Sequence, residues 1–415
     1  MTTASTSDAG LALLGGALLR SDPFPSWPVF GAEDEAAILE VLRSGSWFLG
    51  DRVAEIERRF PQFHQARHGI AVSSGTAALQ VALEAAGVRL GDEVIVPSYT
   101  FVATAASVAL VGAVPVFVDV DPATYCIDPA SVEAAVTERT RAVVAVHFAG
   151  QPADLDALGR LCRSRGILLI EDAAQAHCAE WRDRRVGAIG DLGTFSFQAS
   201  KNLNAGEGGF ILSDDEELAE AAWSIHNCGR TRTGAWYEHA LVGGNYRMSE
   251  FQAALLLSQM RNLEDQSRLR SRNASLLSER LSEIEGIRPL DVDARVSRHA
   301  YHLFVFRYDP AAFAGVSRER FLEALSAEGI PCASGYRPLY REPAFQARFR
   351  DYPLDSPAFG GRPDYAAVHH PVTERICAGE AVWLTQNLLL GSEEDTASIA
   401  EAVAKVQQHA RRLAD

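Results

Sequence analysis

Residues 140–177, TRAVVAVHFAGQPADLDALGRLCRSRGILLIEDAAQAH, decide the fold. Ala142–His147 and Ile167–Glu171 are unbroken aliphatic runs of strand length, and Leu155–Ser164 between them carries helical periodicity. A strand that is apolar on both faces needs cover on both faces. A parallel sheet with crossover helices provides that cover. The same alternation runs outward from this unit. Ile70–Val72, Glu93–Pro97 and Pro115–Val120 read as strands, with helices at Thr76–Ala86, Val102–Leu110 and Pro129–Val136. Two amphipathic helices, 33–43 and 51–60, precede them, punctuated by Gly45 and Gly50. Strands at Gly193–Phe197 and Gly209–Ser213 fit an antiparallel addition to the same sheet. Beyond Asp214 the pattern changes. A long helix at Ser249–Ile284 leads to an alternating strand at His302–Tyr308 and a helix at Arg318–Gly329. A strand near Cys332–Tyr336 and a last helix at Glu393–Arg412 complete the chain. The predicted architecture is an α/β domain over 1–260 and a smaller α+β domain over 261–415, divided inside the long helix.

Composition narrows the function. The chain has 415 residues, 47% of them hydrophobic and 22% charged, enough apolar residues to bury a large core. A formal net charge of -15 argues against a nucleic-acid partner. The six cysteines show no CxxC or zinc spacing, so reduced thiols and a cytoplasmic location are expected. Ala9–Leu19 is apolar but too short to span a bilayer, and is expected to pack on the body of the protein. No membrane partner and no bound metal are expected.

Only two lysines occur, Lys201 and Lys405. Lys201 follows Phe195-Ser196-Phe197 and precedes Gly206-Glu207-Gly208-Gly209. Arginine replaces lysine as a surface charge but not as a primary amine. Four other features fall where ligands bind open parallel sheets, at the carboxyl ends of strands. Ser73-Ser74-Gly75-Thr76 opens a helix whose first amides attract an anion. Phe101 ends the next strand segment and can stack on a planar ring. Asp172 follows an apolar strand and needs a cationic partner, and Gln175 lies three residues on. Ser196 can share an anion with Gly75 and Thr76. Singly, each has a plain reading: a helix cap for Gly75, Thr76 and Asp172, core filling for Phe101, and a satisfied structural histidine for His177. Together they supply a phosphate cradle, a stacking ring, an acid for a ring nitrogen and an amine for a carbonyl. Pyridoxal 5'-phosphate requires those contacts.

With these motifs the chain resembles the DegT/DnrJ/StrS family of pyridoxal-phosphate aminotransferases, which act on keto-sugars and keto-cyclitols. Phe195-Ser196-Phe197 with Lys201 and the glycine turn is the most specific match. Gly75–Leu79, Thr100-Phe101, His147–Asp154, Glu171–Gln175 and Asn245–Glu250 support it. The resemblance implies a fold-type-I enzyme with a large seven-stranded domain and a small C-terminal domain. It also implies a homodimer with active sites at the interface. By the same transfer Lys201 is the Schiff-base lysine, Asp172 the pyridine-nitrogen partner and Gln175 a ring-oxygen contact. Phe101 stacks on the ring, Gly75, Thr76 and Ser196 hold the phosphate, and Asn245 reaches the neighbouring subunit's cofactor. Arg230, Tyr336 and Tyr340 are expected near the substrate. Gln198, Asn227–Arg230 and Trp383–Leu390 resemble two branches: glutamine-dependent scyllo-inosose aminotransferases and 3-amino-5-hydroxybenzoic acid synthases. The implied reaction moves an amino group from glutamine or glutamate to a keto-cyclitol or keto-sugar. Nucleotide-sugar amination and an aromatising synthase are the alternatives. A cofactor-binding regulator leaves Lys201 and Asp172 without a task. Cys178 stands where the family more often has glycine.

Overall fold

The computed structural model describes residues 10–348, 359, 361 and 363–414. In chain order its first strands are β1 His68–Val72, β2 Glu93–Pro97, β3 Val114–Val118, β4 Thr140–Val146 and β5 Leu168–Asp172. The short pair β6 Glu180–Trp181 and β7 Arg184–Arg185 follows, then β8 Leu192–Ser196 and β9 Gly209–Ser213. Seven of them form one sheet in the order β1-β9-β8-β5-β4-β2-β3. From β8 to β3 every neighbouring pair is parallel, while β9 runs antiparallel to both β8 and β1. The two strands around the lysine therefore divide. β8 continues the parallel set and only β9 reverses. The cause is the connection between them: residues 197–208 form no crossover helix, so the chain can only return antiparallel.

Helices α2 Asp51–His64, α3 Gly75–Ala85, α4 Val102–Leu110, α5 Pro129–Ala135, α6 Leu155–Arg165 and α7 Glu216–His226 surround this sheet, while α1 Ala32–Ser44 packs on the long helix Glu250–Ser282. Each face has its own core. Adjacent residues of β5 split between them: Leu169 joins Phe60, Phe148 and Phe195 on one side, Ile170 joins Val81, Val96 and Ile211 on the other. Burial on both sides explains why these strands read as continuous aliphatic runs.

Helix α8, Glu250–Ser282, bridges to the C-terminal region. Ala253, Leu256 and Leu263 pack in the first core, while Ala274, Leu277 and Leu281 pack in a separate C-terminal one. That region holds β10 Ile287–Pro289, β11 Val296–Arg298, β12 Leu303–Tyr308 and β13 Ala381–Thr385, with α9 at Arg318–Ala327. β10, β12 and β13 form an antiparallel sheet, and β11 joins the β6–β7 ribbon. No regular strand forms at Cys332–Tyr336. Ala333 makes a single bridge to Trp383, because Pro331, Gly335 and Pro338 interrupt any ladder. The N-terminal stretch, grouped above with the first 260 residues, packs against the C-terminal core. Leu11 is buried there, and the amides of Ala12 and Leu19 donate to the Glu328 carboxylate at 2.8 and 3.0 Å. Among the described residues no helix is long and apolar enough to cross a membrane, no cluster could hold a metal ion, and the six cysteines are free.

Candidate active site at the carboxyl ends of the sheet

The loops after β1, β2, β5 and β8 enclose a cavity of about 510 Å³, within the roughly 300–1,000 Å³ common for small-molecule sites. Ser74, Gly75 and Thr76 form one end. The Ser74 side chain caps α3 by accepting from the Ala77 amide at 3.1 Å. The amides just before it lack intrahelical acceptors by position and suit an anion. Ser196, at the end of β8, closes the cradle. A Cβ on residue 75 would lie 2.6 Å from the Ser196 Cβ, so only glycine lets α3 start against β8.

Asp172 is 5% exposed at the end of β5. Its carboxylate accepts from Thr104 Oγ1 at 2.8 Å and the Ala174 amide at 3.2 Å. Burial raises its pKa, opposed by those bonds and by the charge of Lys201. Such a carboxylate gains most from a further cation. Lys201 sits on the 197–208 loop, which is pinned by bonds from the Phe197 amide to Gly208 O (2.8 Å), Ala199 to Gly206 O (2.9 Å) and Lys201 to Gln198 O (2.8 Å). Burial lowers the Lys201 ammonium from 10.5 to about 8, against the pull of Asp172. Gln175 Oε1 accepts from the Ala149 amide at 2.7 Å. Its amide is thereby oriented with Nε2 toward Tyr336, whose hydroxyl lies 3.1 Å away. Phe101 and Tyr336 line the same cavity with ring centres 6.4 Å apart, and Phe101 is 54% exposed.

Three expected residues lie elsewhere. Tyr340 is fully buried, packs near Phe117 and donates to Glu374 at 2.8 Å, so it is core rather than a substrate contact. Arg230 donates to the Trp236 carbonyl at 2.7 Å, with its guanidinium over the Trp236 ring. Asn245 is exposed and bridges Asn227. Neither lines this chain's cavity. His177 packs against Phe195 and Phe197 as a buried histidine, and burial, followed by the charges of His64 and Lys201, keeps it neutral. Glu171, beside Asp172, points away from the cavity. Burial opposes its charge, but His147 (2.9 Å) and the amides of Gly187 and Gly190 hold its pKa low. Cys178 has φ of +68°, the left-handed conformation that favours glycine. Sequence reasoning missed Gln198, Glu207, His302 and Trp383 as cavity walls. A histidine opening the apolar strand 303–308 was the one available signal. A larger, open cavity of about 1020 Å³ lies against β10 and β12 and contains none of these residues; its Arg375 pairs with Glu380 at 2.6 Å.

A buried amine, a buried acid lacking a full counter-charge and an anion cradle lie together around one cavity, a set of groups suited to amine transfer with a phosphorylated aldehyde. Residues 28–397 match the family model described as the DegT/DnrJ/EryC1/StrS aminotransferase family. The chain belongs to that family, whose aminotransferases use pyridoxal phosphate, and it has the fold-type-I architecture. It is 45% identical over 411 residues to a Streptoalloteichus tenebrarius protein named as an L-glutamine:3-amino-2,3-dideoxy-scyllo-inosose aminotransferase, covering 97% of this chain and 99% of the relative. It is 42% identical over 426 residues to the L-glutamine:2-deoxy-scyllo-inosose aminotransferase of the same organism, covering 96% and 98%. The crystal structure of 3-amino-5-hydroxybenzoic acid synthase superposes with a TM-score of 0.83 at 37% identity, covering 93% of this chain and 99% of that one.

Proposed function

We propose that this aminotransferase moves the amino group of L-glutamine onto the ketone of a polyhydroxylated carbocycle. The observation that carries this reading is the character of the cavity. Beside Lys201 no lysine or arginine is among its described lining residues, whereas serine, threonine, glutamine and tyrosine are. A nucleotide diphosphate needs cationic or amide partners for two phosphates, while a neutral ring needs only hydrogen bonds. Glutamine likewise brings one carboxylate fewer than glutamate. The names of the relatives point the same way.

Pyridoxal phosphate, when bound, supplies an aldehyde that takes up and hands on the amino group and a ring that accepts electrons. Gly75, Thr76 and Ser196 would hold its phosphate, and Asp172 would keep its ring nitrogen protonated. Gln175 would offer its amide to the ring oxygen, and Phe101 would cover one ring face. Lys201, with a pKa near 8, exists as both amine and ammonium close to neutrality. It therefore serves as nucleophile when the cofactor loads and carries a proton off and onto the substrate carbon afterwards.

Two copies are needed for a complete site in this reading. Asn245 is exposed and does not line its own cavity, and Trp47, Phe48, Trp236, Tyr237 and Val242 are exposed apolar residues. Arg247 lies over the Phe48 ring and donates to Asn227 at 3.0 Å, so part of this surface adjoins the Asn245 segment. Pairing covers it and lets Asn245 reach the partner's cofactor. The test is a panel of scyllo-inosose, 2-deoxy-scyllo-inosose and 3-keto and 4-keto nucleotide sugars, with glutamine and glutamate as donors. Amination of the carbocycles with glutamine is expected; turnover of nucleotide sugars alone overturns the assignment. Mass analysis of the product separates simple amination from the aromatising reaction of the hydroxybenzoate synthase, which removes further water.

A further inference from the structure

His302 enters the cavity from the C-terminal region, one residue before β12, and is 7% exposed. A chain of hydrogen bonds fixes which of its nitrogens carries the proton. Asn202 Nδ2 donates to the Ala300 carbonyl at 2.8 Å, and a carbonyl can only accept. That contact forces Asn202 Oδ1 to the other side, where it lies 3.2 Å from His302 Nδ1. An amide oxygen can only accept as well, so Nδ1 carries the hydrogen. Burial, followed by the positive charge of Lys201, keeps the imidazole pKa well below its ordinary value. The ring is neutral, and Nε2 bears a lone pair and no hydrogen.

The position is built rather than incidental. The Ala300 amide donates to Gly150 O at 2.9 Å, and the Tyr301 amide donates to His299 Nδ1 at 2.8 Å. Tyr301 itself sits at φ +48°, a conformation that L side chains rarely adopt. Backbone strain next to a cavity residue, held by the hydrogen bonds of the two residues before it, fixes where the ring points. The cofactor contacts assigned above all come from the first domain. His302, Tyr336 and Trp383 form the opposing wall from the C-terminal region, the wall left for a substrate. On that wall a hydrogen-free nitrogen cannot donate to a carboxylate, a phosphate or the reacting ketone oxygen. It can only accept.

We propose that His302 is a specificity-determining residue whose Nε2 accepts a hydrogen bond from one ring hydroxyl of the keto substrate, with Asn202 as the positioning residue that locks the tautomer. The inference rests on the reading of the acceptor as a hydroxylated ring.

The test uses the full chain loaded with cofactor and the carbocycle it aminates fastest. His302→Leu removes the acceptor; His302→Gln can return one. In His302→Leu the KM for the ketone should rise roughly tenfold relative to that for glutamine, the weight of one hydrogen bond, and His302→Gln should recover part of it. A set of ketones each lacking one ring hydroxyl locates the partner. One analogue should lose about tenfold with the native enzyme and show no such loss with His302→Leu. Nitrogen-15 NMR of histidine-labelled protein, assigned by difference from His302→Gln, should show the proton on Nδ1. A proton on Nε2, or deoxy analogues that lose equally with both enzymes, overturns the proposal. If glutamine does not convert the native enzyme to its amino form, or no carbocycle is turned over, the functional reading fails instead.

Discussion

At the scale of single residues, the chemistry depends on an amine and an acid of unequal surroundings. Lys201→Ala should lower turnover by roughly 10³-fold or more, and Lys201→Arg should lose as much, because charge without a free amine does not suffice. Asp172→Asn keeps the shape and removes the charge; a loss of roughly 10²–10³ in kcat is expected. Near-native rates in these variants, measured in single-turnover assays with glutamine, would contradict the assignment. The lowered pKa of Lys201 gives a pH dependence with a defined sign. Only the neutral amine attacks an aldehyde. Uptake of pyridoxal phosphate by the cofactor-free protein, followed by absorbance, should fall about tenfold per pH unit below pH 8 and level off above it. The unfolded chain keeps that proton up to the ordinary lysine value near 10.5, so the cofactor-free protein should also gain stability as pH rises between these limits. Lys201 and Asp172 were legible because scarcity and an apolar context marked them. Tyr340 and His302 were not. Sequence gives no direction for a side chain in a loop, and Tyr340 turns inward to Glu374 while His302 turns into the cavity.

At the scale of elements, the site depends on how closely α3 approaches β8. Gly75→Ala places a Cβ against Ser196, and overpacking of about 1–3 kcal/mol corresponds to roughly 10–100-fold weaker cofactor retention. Titration of the cofactor-free variant measures it; unchanged affinity would mean that the cradle is not the phosphate site. Aliphatic runs announced the parallel strands because both faces are buried, and β2, for example, has the bounds read from sequence. The parallel pairing of β8 and the short β10 and β11 were harder, since pairing direction depends on the connection and three-residue strands carry no periodicity. The stretch Asn245–Glu250 shows how one motif serves several ends. Ser249 caps α8, the Tyr246 carbonyl accepts from the Ser73 amide at 2.7 Å, and Glu250 caps α2. Its carboxylate, 3% exposed, accepts from the amides of Gly50 (2.9 Å), Arg52 (2.8 Å) and Val53 (3.0 Å). Glu250→Ala should therefore cost about 2–3 kcal/mol in urea unfolding, with Glu250→Gln in between. A motif read for its chemistry is here largely a clamp joining α2, α3 and α8.

At the scale of the whole molecule, the assigned groups fall into two sets. Gly75, Thr76, Ser196, Asp172 and Lys201 converge within one chain, while Asn245 stands apart on a surface with exposed aromatic residues. If Asn245 completes the partner's site, defects in Lys201 and Asn245 can complement. A chain with Lys201→Ala is inactive, and one with Asn245→Ala lacks the phosphate contact across the interface. When the two are dissociated, mixed and reassociated at random, half of the dimers hold one chain of each kind. In such a dimer one site carries both defects. The other combines Lys201 from the second chain with Asn245 from the first and is intact. Activity should recover to about a quarter of that of the native protein, although neither parent approaches it. If Asn245 served its own chain's cofactor, the mixed dimer would contain no intact site and mixing would restore nothing. The recovered fraction therefore reads out which chain completes the site, independently of the identity of the keto substrate.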